Sequence, residues 1–214
     1  MAKKICGEPF LRWQDVLSIS RHAKERGLRM AIETNGTLIN DELADALVQA
    51  GVSFISISLD GATAETHEAI RGVRGCYEDA VREIERLSSR GIHVQIITVL
   101  TKRNIHGWQD ILELGKERGA GSAKFNLLTE IGRAESIAED EKVLIEEYIR
   151  LHDEIQLKKD EFIQCLVSAP MAFKKVEDLA KGGINRGCPI LNLLSVLADG
   201  SLSICGMGVH KERF

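Results

Sequence analysis

The chain has 214 residues, 44% of them hydrophobic and 28% charged, with a formal net charge of -4. That length suffices for one sizeable core and a smaller appendage, domains running about 100–200 residues, and that balance is the composition of a globular protein. Mild acidity argues against nucleic acid as a partner, no apolar run approaches the roughly 18 residues of a membrane span, and no basic segment leads into an apolar one at the N-terminus, so no membrane contact and a cytoplasmic location are expected.

In chain order, residues 1–5 are too few for a leader or a complete strand, and Cys6-Gly7-Glu8-Pro9 reads as the end of a strand of which only "AKKI" is present. Trp13, Val16, Leu17 and Ala23 then follow helical spacing up to Gly27, before the apolar "LRMAIE". Asn40 caps a second helix through Leu43, Leu47 and Ala50, closed by Gly51 ahead of the β-branched run "VSFISISL". Tyr77, Ala80, Val81, Ile84 and Leu87 make one stripe of a third helix, stopped at Gly91 before "IHVQIITVL". Trp108, Ile111 and Leu112 mark a fourth, ending near Gly119 before "SAKFNLL". Strands alternating with helices over short connections predict parallel βαβ units and an α/β fold.

Several of these strands finish in polar clusters: Glu33-Thr34-Asn35-Gly36, Ser58-Leu59-Asp60-Gly61, and residues 98–104 and 126–132. Each is in itself an ordinary turn sequence. Together they would line one face, since loops leaving the carboxyl ends of parallel strands form the ligand site of such folds. After Arg133 the pattern changes. A charged helix spans residues 138–156, the alternation stops, and a second module is expected from about Asp160, with Cys165, a helical stretch at 171–180 and a hairpin turning at Asp199-Gly200 within "LLSVLADGSLSIC". The division expected is 1–134, 135–159 and 160–214. Five cysteines at 6, 76, 165, 188 and 205 form no disulfide framework and suggest reduced thiols or metal ligands. The six histidines share no metal-ligand spacing and read as solvated or packing residues.

"GEPFLRW", "IETNGTL", "SISLDG" followed by "THEAIRG", and "GRA" after the last of these strands resemble, in order and spacing, the radical S-adenosylmethionine enzymes, in the branch with a C-terminal SPASM or twitch extension. The resemblance implies an incomplete (β/α)6 partial TIM barrel lacking its first strand and helix, followed by the start of a small hairpin domain. It implies an oxidoreductase or maturase acting on a peptide or a cofactor precursor, with an electron donor. Its cofactors would be S-adenosylmethionine and a 4Fe-4S cluster, an electron from the cluster cleaving the sulfonium to methionine and a 5′-deoxyadenosyl radical. The CxxxCxxC loop that holds this cluster in the family does not occur in these 214 residues, so the chain alone is expected to be inactive.

Carried over by the same resemblance, Gly7, Glu8 and Pro9 match the turn that receives the methionine amino group, where glycine lets backbone carbonyls approach. Cys6 stands where the family has a glycine, and a small buried residue is its other reading. Thr34 and Asn35 bring hydroxyl and amide groups to the mouth. Ser58 and Asp60 match the strand end that faces the ribose. Cys76 occupies the place of a serine near the cofactor carboxylate, and Arg71 pairs with that carboxylate or with substrate, or is an exposed helix-end arginine. Cys188 and Cys205 resemble the opening ligands of an auxiliary cluster; as a bare pair they read equally as zinc ligands or buried thiols. Two other functions fit the residues: a cluster-free module recognising a peptide at the barrel mouth, and an ordinary α/β-barrel metabolic enzyme. An exposed barrel edge beside residues 2–5 would favour self-association.

Overall fold

The computed structural model describes residues 2–3, 7–128, 141–158, 163–168, 195–196 and 201–203. Six parallel strands lie side by side in chain order: β1 (Ala2–Lys3), β2 (Met30–Thr34), β3 (Phe54–Ser58), β4 (His93–Leu100), β5 (Ser122–Leu127) and β6 (Gln164–Ser168). A short 3-10 turn (Pro9–Arg12) and α1 (Trp13–Glu25) join β1 to β2, and α2 (Asp41–Gln49) joins β2 to β3. Two helices, α3 (Ala64–Arg71) and α4 (Cys76–Ser88), join β3 to β4; α5 (Trp108–Glu117) and α6 (Ile145–Lys158) complete the next two crossovers. Sequential strands as immediate neighbours, each reached through helix, make the parallel α/β layer that the alternation predicts, in the strand order of the partial barrel that the resemblance implies.

The helices form where the pattern places them. On α4, Cys76, Ala80, Ile84 and Leu87 are buried along one stripe, and on α5 Trp108, Ile111, Leu112 and Gly115 are. Asn40 caps α2, its Oδ1 accepting from Leu43 N at 2.8 Å. Against these helices the sheet presents Ile32, Ile55, Ile57, Val94, Ile96, Ala123 and Phe125, all buried. Each large apolar side chain so covered contributes about 1.5–3 kcal/mol.

The opposite face of the same strands differs, because side chains alternate along a strand. At its amino-terminal end Phe54 stacks on His93, ring centroids 5.2 Å apart and planes 10° from parallel. The next row holds Glu33, Ser56, Gln95, Ser122 and Gln164 in register, with His93 Nε2 2.9 Å and Gln95 Nε2 3.3 Å from Ser122 Oγ. Above it come Ser58, Ile97, Lys124 and Leu166, then Val99, Asn126 and Ser168. A closed barrel fills this space with branched apolar side chains. Here that face, the chamber face, is largely polar, with the Phe54–His93 ring pair at its amino-terminal end.

Two compact units divide the chain, Met1–Leu128 with Ile137–Ser168, and Thr129–Ser136 with Ala169–Phe214. The strand and helix alternation therefore runs one step past the point where the sequence pattern suggests it stops: α6 and β6 belong with the sheet, and Cys165 lies on β6 opposite Ala123. The signal for β6 is weak because Gln164 and Leu166 are exposed on an outer strand, so no continuous apolar run marks it. In the second unit the described residues are an antiparallel pair, β7 (Ser195–Val196) and β8 (Leu202–Ser203), with Val196 opposite Leu202, as a hairpin requires. The turn at 199–200, the stretch 171–180, and Cys6, Cys188 and Cys205 lie outside the described residues. No helix among the described residues is long and apolar enough to cross a membrane.

Candidate functional site

Two groups of residues occupy the carboxyl ends of β1 to β4. The first is built on Glu8. Gly7 turns the chain with φ at 92°, and the space where a side chain would stand is open. Pro9 then begins the 3-10 turn, buried with Phe10. Between them the Glu8 carboxylate takes three donors. Oε1 accepts from Phe10 N at 3.1 Å and from Thr34 Oγ1 at 2.8 Å, and Oε2 accepts from Asn35 N at 2.8 Å. Thr34 Oγ1 in turn accepts from Gly36 N at 3.1 Å, while Asn35 Oδ1 accepts from Thr37 N and Thr37 Oγ1 at 2.9 and 2.8 Å. One carboxylate thus joins the turn after β1 to the end of β2, and charge-assisted bonds of this kind contribute about 1.5–3 kcal/mol.

The second group centres on Asp60, two residues beyond β3 and only 2% exposed. Its N–H donates to His67 Nδ1 at 2.9 Å, so the proton of that imidazole sits on Nε2. Its carbonyl accepts from Asn104 Nδ2 at 2.9 Å. Its Oδ1 accepts from Val99 N at 2.8 Å, and Oδ2 lies 2.6 Å from Arg71 Nε. This last contact is an ion pair whose N–H is not aligned as a hydrogen bond. Asn104 also donates to Val99 O at 2.9 Å and accepts from Thr101 N at 2.8 Å, which ties the β3 and β4 ends together. Burial holds His67 below its usual range, Asp60 pulling it the other way.

Arg71 ends α3, and its side chain is 29% exposed. The loop after it is braced. Gly72 takes the left-handed cap at φ 71°, Gly75 N donates to Glu68 Oε1 at 2.6 Å, and Tyr77 Oη donates to Ala62 O at 2.6 Å. Cys76 opens α4 immediately beyond, buried, and its thiol is pushed up by burial and by Glu68 while Arg71 draws it down. Ser58 is half-buried on the chamber face at the last position of β3. The structure therefore gathers Gly7, Glu8, Pro9, Thr34 and Asn35 at one corner and Asp60, Arg71 and Cys76 at another. His67, Asn104 and the Val99 amide complete the second corner. The sequence motif "THEAIRG" contains His67, but nothing in its spacing shows that its ring meets the Asp60 backbone.

Residues 6–115, just over half the chain, match the radical SAM superfamily. The chain belongs to that superfamily. It is 37% identical over 177 residues to the AdoMet-dependent heme synthase of Methanosarcina barkeri, covering 82% of this chain and 50% of that one. With the mycofactocin maturase MftC of Mycobacterium tuberculosis it shares 32% over 148 residues, 69% of this chain and 37% of that one. The chain thus spans half the length or less of these curated relatives. The structure of Streptococcus suis SuiB bound to S-adenosylmethionine superimposes with a TM-score of 0.75 at 17% identity, over 95% of this chain and 48% of SuiB. SuiB bound to the precursor peptide SuiA gives 0.74 at 17%, over 93% and 47%. At such identity the likeness shows the fold, a radical SAM partial barrel.

The family implies S-adenosylmethionine and an iron-sulfur cluster, and the residues fit them unequally. An amino-acid carboxylate needs a fixed cation and an ammonium needs unhindered carbonyls, and Arg71 and the open Gly7 turn have that chemistry. A cluster needs converging thiolates. Among the described residues no three His, Cys, Asp or Glu side chains converge, burial raises Cys76, and it pushes Cys165 up to about 12. These residues do not fit the cluster.

Proposed function

We propose that this chain is the S-adenosylmethionine-binding part of an enzyme that matures a peptide or a cofactor precursor. Within the superfamily, S-adenosylmethionine cleaved reductively supplies a 5′-deoxyadenosyl radical that takes a hydrogen atom from substrate. The chain's own residues would bind and orient the nucleoside. Gly7 would present carbonyls to its ammonium, Arg71 would meet its carboxylate beside Cys76, and Ser58 with Thr34 and Asn35 would face the chamber around it. Glu8 carries the reading: three bonds from one carboxylate hold the turn against β2, which fixes the carbonyls before any ligand arrives. The substrate class is supported by relatives named as a heme synthase and a mycofactocin maturase and by SuiB's complex with a precursor peptide.

Calorimetric titration with S-adenosylmethionine tests the binding reading. The wild-type chain should bind it saturably, and Glu8→Ala should bind about tenfold or more weakly, as the loss of charge-assisted bonds of about 1.5–3 kcal/mol implies. Asp45→Ala, which removes an ion pair with Arg90 on the helical layer, should leave the affinity unchanged. No saturable binding by wild type, or equal binding by Glu8→Ala, overturns the proposal.

A further inference from the structure

Arg71 is the cationic side chain of the Asp60 corner, and its orientation is fixed from one side only. Every polar atom of Asp60 already has a protein partner: N with His67, O with Asn104, Oδ1 with Val99 N and Oδ2 with Arg71. The side chain is also sealed at 2% exposed. A carboxylate so enclosed offers no surface to ribose hydroxyls. We propose that Asp60 is a positioning residue, which aims the Arg71 guanidinium at the carboxylate of the nucleoside amino acid and does not itself touch the nucleoside. The inference rests on the ligand reading above and replaces the ribose-facing role that the family resemblance gives Asp60.

The chemistry follows from the geometry of guanidinium. Arginine carries five N–H donors in a planar fork, of which only Nε belongs to the stem. The ion pair that holds Nε 2.6 Å from Asp60 Oδ2 anchors the stem side of the guanidinium, and the Nη edge is the part left to meet a carboxylate by paired hydrogen bonds. A free arginine at a helix end loses several rotamers on binding, at a cost of affinity; a fork already held loses fewer. Asp60 is itself immobile because its backbone is fastened at both polar atoms by residues of α3 and of the loop after β4. Its Oδ1 bond to Val99 N fixes the carboxylate plane from a third element. Three separate segments therefore determine where one guanidinium points.

Asp60→Asn is the discriminating substitution, because an amide keeps an oxygen for Val99 N and removes the charge facing Arg71. Two measurements are required. In the first, 15N relaxation of Arg71 Nε in the unliganded chain, assigned through Arg71→Lys, should give a rigid order parameter near about 0.85 in wild type and below about 0.6 in Asp60→Asn. In the second, affinities for S-adenosylmethionine and 5′-methylthioadenosine are compared, the latter having the ribose but no amino-acid carboxylate. Asp60→Asn should weaken S-adenosylmethionine about tenfold and leave 5′-methylthioadenosine within about twofold, since one charge-assisted contact is lost. Arg71→Ala should do the same, and the double variant should add nothing to Arg71→Ala alone. Equal weakening of both ligands in Asp60→Asn would make Asp60 a ribose ligand and overturn the inference, as would an Arg71 Nε equally rigid in both proteins. Wild type with no preference for S-adenosylmethionine would instead overturn the ligand reading of Arg71, a separate failure that the relaxation result does not share.

Discussion

His67 is the residue whose protonation the corner depends on. Its Nδ1 accepts the Asp60 N–H, so a second ring proton would remove that bond and place a charge in a site only 2% exposed. Burial lowers its folded pKa below the ordinary 6.5. The unfolded chain therefore takes up a proton that the folded one refuses. Stability is complete above about pH 6.5, falls as pH drops through that value towards the lowered folded pKa, and levels below it, with a slope of at most about 1.4 kcal/mol per pH unit. Urea unfolding between about pH 5.5 and 7 should show this slope in wild type and lose it in His67→Gln, whose amide oxygen still accepts from Asp60. An equal slope in both proteins would assign the effect to other groups. Asp60, Arg71 and Cys76 were singled out in the sequence, whereas His67 read only as a solvated or packing residue, and the partners of none of them were legible. Asp60 meets Val99 and Asn104 across 39 and 44 residues of chain, and no local spacing encodes such pairings.

Among the elements, α1, α2, α4 and α5 were legible because each announces its own ends and stripe: Asn40 bonds the start of α2, and Gly27, Gly51, Gly91 and Gly119 follow four helices at positive φ. The strand β6 was not, since its identity comes from pairing with β5 and from no run of its own. Gly61 shows how a turn at a strand end is set by the helix after it. A side-chain carbon there would stand 2.7 Å from Thr66 Cβ and 2.9 Å from His67 N, and the second of these is backbone of α3 that cannot swing aside. Gly61→Ala should push α3 away from β3, misplace Arg71, and cost about 1–3 kcal/mol, as overpacking does. Gly107→Ala, where nothing lies within 4 Å, should change stability by less than about 1 kcal/mol. Chemical denaturation of the two variants decides it, and equal stabilities would mean that the α3 junction yields more freely than its contacts imply.

For the whole molecule, the division of labour within the superfamily sets what these 214 residues do alone. The Glu8 turn and the Arg71 corner are present, and on the reading proposed above they hold an amino-acid nucleoside. Reductive cleavage would need in addition a 4Fe-4S cluster held by three cysteine thiolates, and the sequence contains no CxxxCxxC. Its described cysteines cannot take over that task. Cys76 begins α4 and Cys165 lies on β6, so their elements do not bring them together, and burial keeps both as protonated thiols, Cys165 with a pKa pushed up to about 12. The chain reconstituted anaerobically with iron and sulfide, then reduced with dithionite in the presence of S-adenosylmethionine, should form no 5′-deoxyadenosine above a protein-free control, while still binding the nucleoside in the calorimeter. Binding and cleavage thus separate in one preparation. Catalytic amounts of 5′-deoxyadenosine would refute this, and would require a cluster held by some set of Cys6, Cys76, Cys165, Cys188 and Cys205, which single Cys→Ala variants assayed for iron content would identify.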